Sequence, residues 1–229
     1  MDFIQDGFVQ AVTLLANRDP ATFSAISATL RASGLAMAAS LLLGIPLGYL
    51  LGYFDFRLKR QVSIIVNTLL SLPTVFIGLM MYALFTRNGP LGSGGLLFTI
   101  PGIAIGQTIL SLPIIIALTA AAVEAADRSL RVTLISLGAN RRQLAATTLW
   151  EVRLGILAAA VTATGRVFTE VGISLMVGGN IKWHTRTITT AIALETSKGE
   201  FGMGIALGLV LLLIALTVNI CLISLRRRC

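Results

Sequence analysis

Residues 32–54 read ASGLAMAASLLLGIPLGYLLGYF, a run without a charged side chain, bounded by Arg31 and Asp55. An α-helix rises about 1.5 Å per residue, so about 20 apolar residues cross the roughly 30 Å hydrocarbon core of a bilayer. The run is long enough to span. Uncharged stretches of similar or greater length recur at 61–86, 88–123 and 201–225. The third exceeds one helix and opens with the turn cluster NGPLGSGG at 88–95, which leaves a helix over 96–123. A fifth apolar stretch, 154–177, carries Arg166 and Glu170 near its middle. The sequence therefore predicts an all-α, polytopic transmembrane protein of about five spans, forming a single transmembrane domain over residues 1–229.

Composition agrees with a bilayer as solvent. Of 229 residues, 55% are hydrophobic and 12% charged, against about a quarter charged in ordinary soluble domains. The formal charge of +8 does not point to nucleic acid, because in a membrane chain the placement of Lys and Arg reports orientation first. One set of loops holds eleven basic residues, from Arg57, Lys59 and Arg60 through Arg128–Arg153 to Arg226, Arg227 and Arg228. The opposite set holds five: Arg18, Arg87, Lys182, Arg186 and Lys198. The richer set stays cytoplasmic, which places the amino end outside and the carboxyl end inside.

Residues 1–22 form an extracytoplasmic segment with acidic groups at Asp2, Asp6 and Asp19, unlike the basic start of a secretory signal. Phe3, Ile4, Phe8, Val12 and Leu15 recur at helical spacing, as in a short amphipathic helix at the interface. The cytoplasmic segment 127–153 is too polar to span. Its apolar residues Leu130, Leu134, Leu137, Leu144 and Leu149, interrupted by Gly138 and Asn140, predict helix, turn, helix. Two runs echo each other, LLSLPTVFIGL around Pro73 and ILSLPIIIAL around Pro113, and proline inside a span frees a carbonyl and kinks the helix.

No GxxxxGK[ST] phosphate loop occurs, so ATP is not bound here by that motif. Cys221 and Cys229 give neither a disulfide framework nor a zinc site, and the single histidine, His184, falls in an outer loop. No catalytic residue and no metal site is assigned. Gly44, Gly48 and Gly52 recur every four residues on one helix face, the pattern of close helix packing. Arg166 and Glu170, four apart on the fourth span, share a face and could pair. Charges at that depth cost about 2.5 to 3.5 kcal/mol each on insertion scales, which leaves two uses: a buried interhelical bond or a solute pathway. Gly178, Gly179 and Asn180 either line a mouth with backbone amides or end the helix with a left-handed cap. Lys182, His184 and Arg186 either gather anions at the outer face or form an ordinary solvated loop.

The segment LISLGANRRQLAATTLWEVRLGI, 134–156, resembles the coupling loop of binding-protein-dependent ABC importer permeases, whose pattern runs EAA, three residues, Gly, then I-x-L-P. Gly138 matches the central glycine; Val132, Thr133 and Leu134 replace the acidic-Ala-Ala triplet, and the proline is missing. GRVFTEVGISLMVGGNI, 165–181, is similar to the R-x-x-x-E-x-G … GGN segment of oxyanion permeases for molybdate, sulfate and tungstate. TRTITTAIALETSKGEF at 185–201, SLPTVFIGL and the NGPLG loop look most like the tungstate type.

The resemblance implies a molybdate-permease-like fold in a bacterial inner membrane, acting as a homodimer surrounded by lipid. Cytoplasmic ABC ATPase subunits would dock on a coupling loop including Leu134, Ser136, Leu137, Gly138, Ala139, Arg141 and Arg142, and would carry the ATP and Mg, leaving this chain without a cofactor and without enzymatic activity. An extracytoplasmic binding protein would deliver the anion to a pathway including Arg166, Glu170, Ser174, Gly178, Gly179 and Asn180. An ATPase-independent channel or secondary transporter is the alternative of a different class, and it would not need the 127–153 helix pair.

Overall fold

The computed structural model describes residues 2–126 and 128–228, so Asp127, the first residue of the expected coupling segment, and Cys229 lie outside it, as do the side chains of Phe3, Ile4, Leu130 and Arg226–Arg228. Every regular element among the described residues is helical: α1 (Asp2–Ala16), α2 (Pro20–Tyr53), α3 (Lys59–Leu69), α4 (Thr74–Phe85), α5 (Ile100–Glu124), α6 (Arg128–Ser136), α7 (Arg141–Glu151), α8 (Arg153–Phe168), α9 (Gly172–Gly178), α10 (Ile188–Ser197) and α11 (Phe201–Arg228). Helices α2, α5 and α11 are each long and apolar enough to cross a membrane unaided. Counting the bent pairs α3–α4 (95°) and α7–α8 (63°) as spans raises the total to five.

Two expected spans are broken, the first beside Pro73, where the sequence predicts a kink, and the second where it predicts continuity. The 61–86 run divides into α3 and α4 at Leu70–Pro73. The 154–177 run divides into α8 and α9 at Thr169–Val171. At the first break, the amides of Leu70, Ser71 and Leu72 bond back only three residues, to Asn67, Thr68 and Leu69, a tightened last turn before a proline that cannot continue the ladder. The second halves of the two broken spans meet: an added Cβ on Gly78 of α4 would lie 3.1 Å from the Gly172 carbonyl oxygen of α9.

The centre is a parallel seam between α2 and α5. The glycines at 44, 48 and 52 let the backbones close together; a Cβ on Gly48 would sit 2.7 Å from Thr119 Cβ and 2.8 Å from the Ile116 carbonyl, and one on Gly52 2.6 Å from the Ala120 carbonyl. Higher on the seam, Ser40 Oγ lies 2.6 Å from Ser111 Oγ. Ala36, Met37, Ala104, Ile115, Ala159, Ala163 and Val167 bring α8 into the same core. Helix α2 starts well before residue 32 because Asp19 caps it, accepting from Thr22 N at 2.8 Å, and Pro20 suits its first turn. Helix α1, at 15 residues too short to span, packs on α11 through Gly7 and Ala11 and leaves Phe8 and Val12 exposed. In the 128–153 segment α6 and α7 form the expected helix pair, turned at Gly138, whose φ of +78° favours glycine, and capped reciprocally by Asn140 and Gln143.

Candidate functional site

Arg166 and Glu170 do not pair. The helix that would have put them on one face ends between them, and each is matched to a different helix end. Arg166 lies in the last turn of α8, where the dipole favours a cation. Glu170, 2% exposed, precedes α9, and its Oε1 accepts from Ile173 N at 2.9 Å, satisfying one of that helix's free amides. Its backbone carbonyl accepts from Thr189 Oγ1 at 2.9 Å, which joins α9 to α10. Thr169, between them, takes up the ends of α8, donating to the Gly165 and Arg166 carbonyls at 3.1 and 3.2 Å.

Arg166 is exposed and faces a pocket of about 430 Å³, lined also by Leu70, Ile114, Ala117, Leu118, Thr162, Gly165 and Thr169. Its guanidinium has no ion pair or hydrogen-bond partner among the described residues, whose ion pairs are Lys59 with Asp55 and Glu124, and Lys198 with Glu195. Ala117 stands about 10 Å from the Glu124 end of α5 at 1.5 Å per residue, so the pocket opens between span residues and not at a helix end. Both span breaks border it, through Leu70 and Thr169. An unneutralised cation in a low-dielectric concavity attracts anions strongly.

Ser174 is fully buried and accepts from Gln107 Nε2 at 3.4 Å; the Gln107 Oε1 has no hydrogen-bond partner among the described residues and is itself buried. Gly178 packs on Ile103, and Gly179 is a left-handed cap (φ +67°) against the Phe98 ring. Asn180 accepts from Arg186 Nε through Oδ1 at 3.1 Å. The GGN run thus ends a helix and fastens a loop. The outer cations do not converge: Arg186 turns to Asn180, whereas Lys182 lies over the Trp183 ring at 5.0 Å. On the other face, the α6–α7 pair leaves Val132, Ile135 and Leu137 exposed, Leu137 at 78%. Leu134 is half-buried, Ala139 half-buried, and Ser136, Gly138, Arg141 and Arg142 are exposed.

Sequence reasoning missed three polar features: Gln107 against Ser174, a buried threonine network in which Thr29 Oγ1 accepts from Ile188 N at 2.9 Å, and the Lys59–Glu124 ion pair at 3.0 Å. The TRTITT run was a visible sign of the second. All three join residues far apart in the chain.

Broken spans around a membrane-embedded pocket, with a helix pair carried on one face, are the architecture of an ABC transporter membrane subunit. The backbone is similar to that of the MetNI methionine ABC transporter in an inward-facing conformation, with a TM-score of 0.75 at 21% identity, covering 91% of this chain and 95% of that one. It is also similar to a bacterial ABC transporter involved in import of the acidic polysaccharide alginate, with a TM-score of 0.74 at 19% identity, over 97% and 83% of the two chains. The chain belongs to the family of binding-protein-dependent transport system inner membrane components, which it matches over residues 44–228. Among curated relatives, it is 48% identical to the tungstate uptake system permease protein TupB of Campylobacter jejuni, over 99% of this chain and 95% of the relative. Identity is 37% to the TupB protein of Peptoclostridium acidaminophilum, over 99% of each, and 29% to the molybdenum transport system permease protein ModB of Escherichia coli K12, over 84% and 91%.

Proposed function

We propose that this chain is the membrane-spanning subunit of an importer for tungstate, with molybdate or sulfate as the nearest alternatives in the same class. The observation that carries the reading is Arg166: a cation without a counter-charge among the described residues, lining a pocket at membrane depth. The two TupB relatives support tungstate, and the ModB likeness is more distant. In this reading Arg166 and the Thr162 and Thr169 side of the pocket meet the anion. Glu170 holds α9 in place and stays off the pathway, as do Ser174, Gly178, Gly179 and Asn180 in the conformation described.

A second copy covers the Arg166 face, since an exposed guanidinium facing lipid would be costly. ATPase subunits dock on the exposed apolar residues of α6 and α7 and supply the ATP and Mg; a binding protein delivers the anion from outside. Energy input is required. Importing a dianion against an inside-negative potential costs about 2.3 kcal/mol per charge per 100 mV, roughly 4 to 5 kcal/mol before any gradient.

The test is uptake into liposomes containing the permease with its ATPase subunits, with binding protein in excess. Tungstate accumulates only with ATP, and molybdate and sulfate compete less well. Arg166→Met assembles, hydrolyses ATP and loses at least about tenfold of its uptake, in line with removal of a charge-assisted contact. ATP-independent tungstate flux would return the channel to favour, and near-normal uptake by Arg166→Met would remove the pocket from the pathway.

A further inference from the structure

Helix α3 is attached to the rest of the molecule in an uneven way. At its inner end, Lys59 Nζ lies 3.0 Å from Glu124 Oε1 and 3.4 Å from Asp55 Oδ1, and it donates to the Gly52 carbonyl at 3.4 Å. One ammonium thus gathers the end of α2, the following turn and the end of α5. Along the helix the single buried residue is Val66, set against Leu51 and Ala120 with Ile116 and Ala117 beside it. Ile64, Ile65 and Leu69 are exposed. At the far end the chain breaks, and Leu70 lines the Arg166 pocket.

We propose that α3 is a lever connecting the cytoplasmic helix pair to the pocket, with Lys59 as the positioning residue that holds its driven end to α5. The inference rests on the pocket reading above. Glu124 ends α5 and α6 opens at Arg128, so displacement of the helix pair reaches the ion pair about one helical turn away. Val66 is the pivot. Tilting about it moves Leu70 against Ala117 and Arg166, and the 95° break lets α3 tilt without dragging α4 rigidly along.

The contact is of a strength suited to being made and broken in each cycle. Lys59 and Glu124 side chains are 22% and 50% exposed, and ion pairs so accessible stabilise only modestly.

The experiment compares Lys59→Met, Glu124→Gln, Lys59→Arg and the exchange Lys59→Glu/Glu124→Lys in the same reconstituted complex. Tungstate uptake and binding-protein-stimulated ATP hydrolysis are recorded side by side. Each neutralising variant should lose about fivefold of uptake per ATP hydrolysed, the scale of a modest coupling between sites, while assembly and hydrolysis persist. Lys59→Arg should stay near wild type, and the exchange should recover part of the lost ratio, because a carboxylate at position 59 also faces Asp55 and the Gly52 carbonyl. An unchanged ratio in both neutralising variants would overturn the lever, as would hydrolysis and uptake falling together without rescue by the exchange, the mark of a merely structural contact. The two proposals fail separately: absence of ATP-driven uptake by the wild-type complex refutes the transport reading, whereas normal wild-type uptake with unaltered variants refutes the lever alone.

Discussion

The tetrapeptide Leu-Ser-Leu-Pro occurs at 70–73 and again at 110–113, with opposite results. At the first copy the chain leaves the helix and bends by 95°; at the second, Pro113 sits inside the unbroken α5. Local chemistry is the same, so surroundings decide. Ser71 and Pro73 are exposed, and α3 keeps only Val66 buried. Ser111 and Pro113 are buried, Ser111 against Ser40 of α2, and the α2 glycines hold Ile115 and Thr119 at close range. A proline disfavours the helix by about 3 kcal/mol, which a dense seam on both sides offsets and a thin contact does not. Both copies border the pocket, the weakly held one through Leu70 at the break itself and the other through Ile114, Ala117 and Leu118 beyond its proline.

Destroying the seam should have the largest effect. Gly48→Leu drives side-chain carbons into Thr119 Cβ and the Ile116 carbonyl, and backbone cannot yield as a flexible side chain would. Overpacking of this kind costs about 3 kcal/mol or more. The purified variant should melt at clearly lower temperature and recover poorly as an assembled complex. Gly34→Leu is the control, because nothing lies within 4 Å of the added carbon, and it should match wild type. Equal damage in both would mean that the seam is not what holds α5 straight.

Removing each proline sharpens the contrast at a smaller scale. Pro73→Ala allows α3 and α4 to approach one helix, in which Ser63 and Met80 would stand about 26 Å apart at 1.5 Å per residue. Spin labels at those positions should move apart, and uptake should fall because Leu70 leaves the pocket. Pro113→Ala restores an amide to a helix that is already continuous, so labels across it should keep their spacing and uptake should hold. A Pro73→Ala variant with unaltered label distance would assign the break to tertiary contacts alone.

The contrast also explains what the sequence could and could not reveal. Spans were readable because lipid demands long uncharged helices, and the Gly138 turn was readable because a helix pair in water needs a cap and a left-handed residue. The glycine period at 44, 48 and 52 announced a close seam without naming its partner. The break at Thr169–Val171 contains neither proline nor glycine, so the i, i+4 argument for Arg166 and Glu170 assumed a helix that the chain does not make. Its causes are local bonds visible only in three dimensions: Thr169 turning onto two carbonyls and Glu170 capping α9. Lys59 with Glu124 was illegible for a different reason, since nothing in one sequence pairs two charges separated by two spans and the loop between them.

The smallest test concerns the serines of the two copies. Ser111 donates to the Gln107 carbonyl at 2.8 Å, which leaves its oxygen free to accept from Ser40 Oγ at 2.6 Å, a relay that crosses the α2–α5 seam. Ser71 is exposed and takes part in no such relay. Interhelical hydrogen bonds in membrane proteins average about 0.6 kcal/mol, because the separated helices find other partners. A double-mutant cycle of Ser40→Ala and Ser111→Ala should therefore give a coupling of about 0.6 kcal/mol, read from unfolding of the purified protein, while Ser71→Ala changes nothing measurable. If Ser71→Ala were as costly as Ser111→Ala, burial would not be what separates the two copies. A coupling near zero across the serine pair would leave the glycine contacts alone to keep α5 straight, and would make Gly48 rather than Ser111 the residue on which the difference between the twin motifs turns.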